Sequence, residues 1–199
     1  MDAVSICAAM WSVWLLVWLV WAFQSKKTQE RESWLNRILY IVIAWAAMFL
    51  MLSPKASYGW LGSEVFPRDS WIGPCGIALC AIGFAITFWA RFTLGANWSG
   101  SVTIKVGHEL VRGGPYRWVR HPIYTGLLMA MAGTALARDQ WRALPALVLL
   151  WLSFTVKRMK EEQFMRQTFG GQYIEYCKTT GAIFPSLLRG HDSSGSRSN

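Results

Sequence analysis

Uncharged apolar stretches alternate with short polar connectors along the whole chain. Three of them, Ala3 to Phe23, Ile38 to Pro54 and Ser70 to Ala90, are each about long enough to cross ~30 Å of hydrocarbon as a helix rising 1.5 Å per residue. Two shorter runs follow, Pro122 to Ala137 and Ala143 to Val156, separated by Arg138-Asp139-Gln140-Trp141-Arg142. If that connector turns at the far membrane face with Trp141 in the interface, both runs extend into flanking residues and pack as an antiparallel hairpin. The pattern therefore predicts an all-α integral membrane protein of five transmembrane helices, the last two a helical hairpin. A cytoplasmic loop from Arg91 to His121 and a C-terminal helix from Lys157 to Phe169, ended by Gly170-Gly171, complete it.

Charge sets the orientation. Of the 20 Lys and Arg residues, sixteen fall in the amino-side connector, the Arg91–His121 loop and the segment after Val156; only Lys55, Arg68, Arg138 and Arg142 lie on the other side. The positive-inside rule then puts the amino terminus outside and the carboxyl terminus in the cytoplasm, as an odd number of spans requires. The net charge of +9 is explained by topology, so nucleic-acid binding is not expected. A composition 53% hydrophobic and only 16% charged excludes a disordered chain and an ordinary soluble enzyme. The amino terminus lacks a basic region before its apolar run and reads as a retained first span rather than a signal peptide. One domain is expected over residues 1–189, with a three-helix membrane part (1–90) and a catalytic, cofactor-binding part (91–189); residues 190–199 read as a disordered tail.

Chemistry concentrates at the cytoplasmic face. No uncharged span carries an ionisable side chain of the kind a proton relay or ion pathway needs. Cys7, Cys75, Cys80 and Cys177 show no zinc-ligand spacing, so no metal is expected. No GxGxxG follows a strand. Instead, residues Gly107 to Gly126 interleave His108, Glu109, Arg112, Tyr116, Arg117, Trp118, Arg120, His121 and Tyr124, and a second ionisable cluster, Lys157, Arg158, Glu161 and Glu162, follows the fifth span. Pro122 suits the first turn of the fourth helix, which puts His121 at its cap beside free backbone donors, a place that favours a carboxylate.

The segment from Gly107 to Pro185 resembles the isoprenylcysteine carboxyl methyltransferase family and its relatives, the phospholipid N-methyltransferases and related bacterial membrane methyltransferases. The resemblance is carried by Gly114-Pro115-Tyr116, Arg120-His121-Pro122-Ile123-Tyr124-Thr125-Gly126, Glu161-Glu162, Phe169-Gly170, Tyr173-Ile174-Glu175-Tyr176 and Phe184-Pro185. It implies a membrane enzyme that uses S-adenosyl-L-methionine. By motif position, the cofactor contacts are His108, Leu110, Val111, Tyr116, His121, Pro122, Tyr124 and Glu161. Where many family members carry an Arg thought to face the methyl acceptor, this chain aligns Lys157, with Arg158 adjacent. One of the two is expected to point into the pocket, and the guanidinium of Arg158 is preferred for the acceptor; Glu162 is the candidate base for an amine acceptor. The expected function is methyl transfer to an apolar or membrane-partitioned small acceptor, such as an isoprenylcysteine carboxylate, a lipid amine or a thiol, in a bacterial inner membrane with the site facing the cytoplasm. The competing reading is a non-enzymatic transporter or scaffold whose basic and aromatic face binds lipid headgroups.

Overall fold

The computed structural model describes residues 1–22, 28–31, 34–53, 55, 57–66, 71–95, 103–105 and 110–186. Five long helices account for most of them: α1 (Ala3–Ala22), α2 (Trp34–Leu52), α3 (Ile72–Leu94), α4 (Pro122–Arg138) and α5 (Ala143–Phe169), followed by the short α6 (Gly171–Thr179). Two of these, over residues 3–21 and 72–94, are by length and composition able to cross a membrane, whereas the apolar part of α2 is shorter, Ile38–Leu52. Their outward faces carry large exposed apolar side chains, among them Leu16, Val20, Val42, Phe49, Ile82, Val148 and Leu152. Such a surface is costly in water and ordinary in lipid.

One short element accompanies the helices. Two connectors pair as an antiparallel ribbon, β1 (Thr28–Arg31) with β2 (Thr103–Lys105), in the register Thr28 with Lys105, Glu30 with Ile104 and Arg31 with Thr103. Backbone between helices has no intrahelical partner, and a ladder is one way to satisfy it. His108 and residues 187–199, the expected tail included, lie outside the described residues.

Glycine spacing explains how α3 and α4 pack. Gly76 and Gly83 on α3 are seven residues apart, as are Gly126 and Gly133 on the antiparallel α4. A Cβ added at Gly126 would stand 2.5 Å from the Gly83 carbonyl oxygen, and one at Gly76 would stand 2.7 Å from that of Gly133, so the two backbones touch. Small residues permit this approach, which brings dispersion and backbone dipoles together where no water drives association. Helix α1 docks on the pair through its indoles: Trp11 Nε1 donates to Thr134 Oγ1 at 3.0 Å and Trp14 Nε1 to Thr87 Oγ1 at 3.1 Å.

Arginines close the helix ends. Arg138 donates to the carbonyls of Met51 (3.0 Å) and Leu52 (2.8 Å), and the buried Arg142 to that of Ser53, so the connector between α4 and α5 caps α2. At the opposite end Arg91 donates to Trp21 O (2.8 Å) and Gly95 O (2.7 Å), joining the ends of α1 and α3. These contacts place orphaned carbonyls on cations, as helix C-termini prefer. Helix α5 runs unbroken for 27 residues, about 40 Å, and so carries Lys157, Arg158, Glu161 and Glu162 beyond its apolar part on a rigid extension.

Candidate active site

Pro122 opens α4 at its first position, and His121 is the N-cap with φ −125° and ψ 59°. Its imidazole does not cap the helix. It turns toward α5 and lies between two carboxylates, with Nδ1 3.5 Å from Glu161 Oε2 and Nε2 3.2 Å from Glu162 Oε1. The ring stacks on Tyr124 (centroids 5.5 Å apart, planes at 9°), and Tyr124 stacks in turn on Phe154 of α5 (4.8 Å, 19°). The Tyr124 hydroxyl donates to Glu161 Oε1 at 2.7 Å. A residue three positions into α4 thus locks the carboxylate that faces the cap.

Glu162 is held by more partners. Its Oε1 accepts from Arg120 Nη2 (3.2 Å) and Nε (3.4 Å), from His121 and from Arg158 Nη1 (3.4 Å), while Arg166 Nη2 stands 4.0 Å from Oε2. Burial alone would raise its pKa, but the hydrogen bond from His121 and the charges of Arg120, His121 and Arg158 bring it from 4.5 down to about 2. The same balance lowers Glu161, where burial is outweighed by the hydrogen bond from His121 and the charge of Lys157. For His121 burial favours the neutral ring, yet hydrogen bonds to Glu161 and Glu162 win and raise its pKa above the ordinary 6.5. A carboxylate faces each ring nitrogen, and the closer contact is that of Nε2 with Glu162 Oε1.

Lys157 and Arg158 approach this centre from two sides. The Lys157 ammonium lies 5.5 Å from the ring centroids of both Tyr40 on α2 and Tyr124 on α4. Arg158 reaches Glu162 one turn further along α5, and its buried Nε has no hydrogen-bond partner among the described residues. The ~100° rotation between neighbours on a helix separates them: Lys157 lies over the rings of Tyr40 and Tyr124, and Arg158 pairs with Glu162. Tyr116 is buried in the 3₁₀ turn Gly114–Arg117, and Pro122 is fully buried; Leu110 and Val111 are half-buried on the approach to that turn. Burial, with Glu161 nearby, pushes the Tyr116 phenol well above 10. A shallow cavity of about 440 Å³ opens beside Glu162, lined among the described residues by Met159, Glu162, Gln163, Arg166 and Gln167. Among the described residues no group of three or more His, Cys, Asp or Glu side chains could hold a metal ion.

Two motif residues outside the expected site, both on α6, pack beneath the centre. Tyr173 and Tyr176 of α6 are buried, and the Tyr176 hydroxyl donates to Tyr116 O at 2.5 Å. Burial raises both phenols, Tyr176 to about 12. Their spacing in a nine-residue polar helix gives no sign of which face is covered, so only the aromatic Tyr-x-x-Tyr repeat hinted at them. Arg120, readable as a membrane anchor, is instead 11% exposed and bonded to Glu162.

The chain is similar to several known proteins. Protein-S-isoprenylcysteine O-methyltransferase from Tribolium castaneum is 30% identical over 120 residues, 59% of this chain and 43% of its own length. Protein-S-isoprenylcysteine O-methyltransferase B from Arabidopsis thaliana is 31% identical over 118 residues, 58% of this chain and 60% of its own. A probable protein-S-isoprenylcysteine O-methyltransferase of Oryza sativa subsp. indica is 29% identical over 174 residues, 83% of this chain and 86% of its own. The chain thus spans 43 to 60% of the length of the first two. The fold is that of the eukaryotic intramembrane Ras methyltransferase, isoprenylcysteine carboxyl methyltransferase, solved without a monobody: TM-score 0.59 at 24% identity, over 74% of this chain and 52% of that one. A family model described as phospholipid methyltransferase matches residues 72–172, from the start of α3 through the His121 and Glu161-Glu162 cluster, and the chain belongs to that family.

Proposed function

We propose that this protein is an integral membrane methyltransferase that takes its methyl group from S-adenosyl-L-methionine and delivers it to an apolar or membrane-partitioned small acceptor. The observation that carries the reading is His121, set at the N-terminus of α4 between the carboxylates of Glu161 and Glu162. An amino-acid ligand is a zwitterion, and it needs a cation and helix amides for its carboxylate beside an anion for its ammonium. Both are present within one turn. The 3.5 Å separation of His121 Nδ1 from Glu161 Oε2 is longer than a good hydrogen bond and can yield to a ligand group.

When bound, the cofactor supplies a sulfonium-borne methyl group that a nucleophile takes by in-line displacement, leaving a neutral thioether. The protein therefore has to bind, align and exclude water; it needs no covalent nucleophile. His121 and the first amides of α4 hold the carboxylate. Glu161, oriented by Tyr124, accepts from the ammonium or the ribose hydroxyls. Tyr116, Pro122, Leu110, Val111 and His108 complete the cofactor wall implied by the motif. Lys157, between the rings of Tyr40 and Tyr124 where α5 leaves its apolar stretch, and Arg158 are the basic groups for the acceptor. A carboxylate or thiolate acceptor arrives ionised and needs no base, whereas an amine acceptor would need one, for which Glu162 is the candidate. The names of the relatives favour an isoprenylcysteine carboxylate, with a lipid amine or a thiol as the other candidates.

We place five spans in a bacterial inner membrane, with the amino terminus outside and the His121 cluster facing the cytoplasm, where the soluble donor is found; the sixteen-to-four basic asymmetry supports this. The test is calorimetry of the detergent-purified chain with S-adenosylhomocysteine, followed by transfer of a labelled methyl group to an S-farnesylcysteine. Binding and transfer are expected. A folded sample that binds anionic lipid but no S-adenosylhomocysteine at millimolar concentration would overturn the proposal in favour of a scaffold.

A further inference from the structure

Arg120 directly precedes His121, and a basic residue at the edge of a span ordinarily anchors topology by reaching toward headgroups. Its side chain does the reverse. Nε and Nη2 donate to Glu162 Oε1, and Nη1 donates to the carbonyls of Cys177 (3.3 Å) and Thr180. Those carbonyls end α6, where unpaired C=O groups and the helix dipole both favour a cation. Most of the guanidinium N–H groups are thereby used within the protein, which leaves Arg120 little with which to contact a ligand.

The backbone around it is pinned by the same segment. Arg120 N–H donates to Gly181 O (2.8 Å), His121 N–H to Ala182 O (3.0 Å), and Gly181 N–H to Trp118 O (3.3 Å). On the far side of the cap the Thr125 hydroxyl donates to Ile183 O at 2.6 Å. Gly181 is required here, because a Cβ would overlap the Phe184 carbonyl oxygen. Residues 176–183 therefore hold the chain on both sides of His121, and one side chain links them to Glu162.

We infer that Arg120 is a positioning residue: it ties the carbonyl end of α6 to Glu162 and so keeps His121 in register with the Glu pair. The inference rests on the ligand site proposed above. Without the guanidinium, Glu162 loses a counter-charge and α6 loses its cap, so residues 177–183 separate from the segment that presents His121. Lysine is no substitute, since one ammonium cannot span a carboxylate and two carbonyls.

The experiment uses the full chain in detergent with Cys75→Ser, because Cys75 is exposed, Cys7 and Cys80 are buried and Cys177 is partly accessible. Maleimide labelling of Cys177 then reports release of α6, and calorimetry reports S-adenosylhomocysteine affinity. Arg120→Lys and Arg120→Gln are each expected to speed labelling and weaken binding about tenfold, while the KM for an S-farnesylcysteine stays within twofold of its starting value. Reciprocity requires saturating S-adenosylhomocysteine to slow labelling of the parent protein by a matching factor. Thr125→Val should speed labelling in the same direction and Thr125→Ser should restore it, a rescue that general loosening would not produce. Wild-type labelling in both Arg120 variants, or faster labelling with unchanged affinity, overturns the inference; if the Gln variant does not fold, the Lys variant decides. A parent chain that binds no S-adenosylhomocysteine yet shows the labelling response refutes the proposed function and leaves the α6 tie standing.

Discussion

Replacing Glu162 by Gln removes a carboxylate on which Arg120, His121 and Arg158 converge. A pKa held at about 2 instead of 4.5 corresponds to roughly 3 kcal/mol of native-state stabilisation at 1.36 kcal/mol per unit. Arg158 and Arg166 are partly solvated, with side chains 23% and 61% exposed, so screening reduces this to about 2 kcal/mol. Because the folded pKa is depressed, the stabilisation is fully present above the unfolded value near 4.5 and is lost as pH falls through about 2. The gap between parent and Glu162→Gln should therefore be about 2 kcal/mol at pH 7 and shrink steadily below pH 5. Reversible unfolding by SDS titration in mixed micelles, followed by tryptophan fluorescence between pH 7 and pH 3, measures it. A gap that stays constant over this range would show that the loss comes from packing, and the electrostatic account of Glu162 would be refuted.

The remaining outcomes concern ligand and packing. His121→Ala and Glu161→Gln should each weaken S-adenosylhomocysteine binding by about 1 to 3 kcal/mol, and by less than the sum when combined, as calorimetry of the double variant will show. Since the His121 pKa is raised by the two carboxylates, the part of donor affinity owed to its charge should be full at pH 6 and fall as pH rises through the elevated value; a flat profile to pH 9 removes the imidazolium from the site. Arg158→Ala is expected to raise the acceptor KM with little change in donor affinity, and a larger defect in Lys157→Ala would move the acceptor to the Tyr40 side. Gly126→Ala should destabilise by about 1 to 3 kcal/mol or more, because its Cβ meets the Gly83 carbonyl; thermal scanning that finds no shift would contradict the close α3–α4 approach.

The apolar stretches were readable without coordinates because a segment with no charge for fourteen or more residues has few options other than a helix that satisfies its own backbone. The expected orientation likewise came from counting Lys and Arg on alternate connectors. The Arg120-His121-Pro122 and Glu161-Glu162 motifs marked the candidate site, and Pro122 alone implied where α4 begins. What local sequence could not determine is which atoms meet across forty residues. His121 is shared between two carboxylates only because the Gly76, Gly83, Gly126 and Gly133 contact sets α4 against α3 while α5 passes alongside. Lys157 and Arg158 are neighbours in sequence, yet the tertiary structure sends one to the rings of Tyr40 and Tyr124 and the other to Glu162. Arg120 and Tyr176 carry no local mark that separates an anchor or an interfacial aromatic from a support, since both kinds of residue are basic or aromatic and lie near a span. Their partners are backbone carbonyls, which every residue possesses and no sequence pattern advertises, so only the fold of α6 against the α4 N-terminus decided their role.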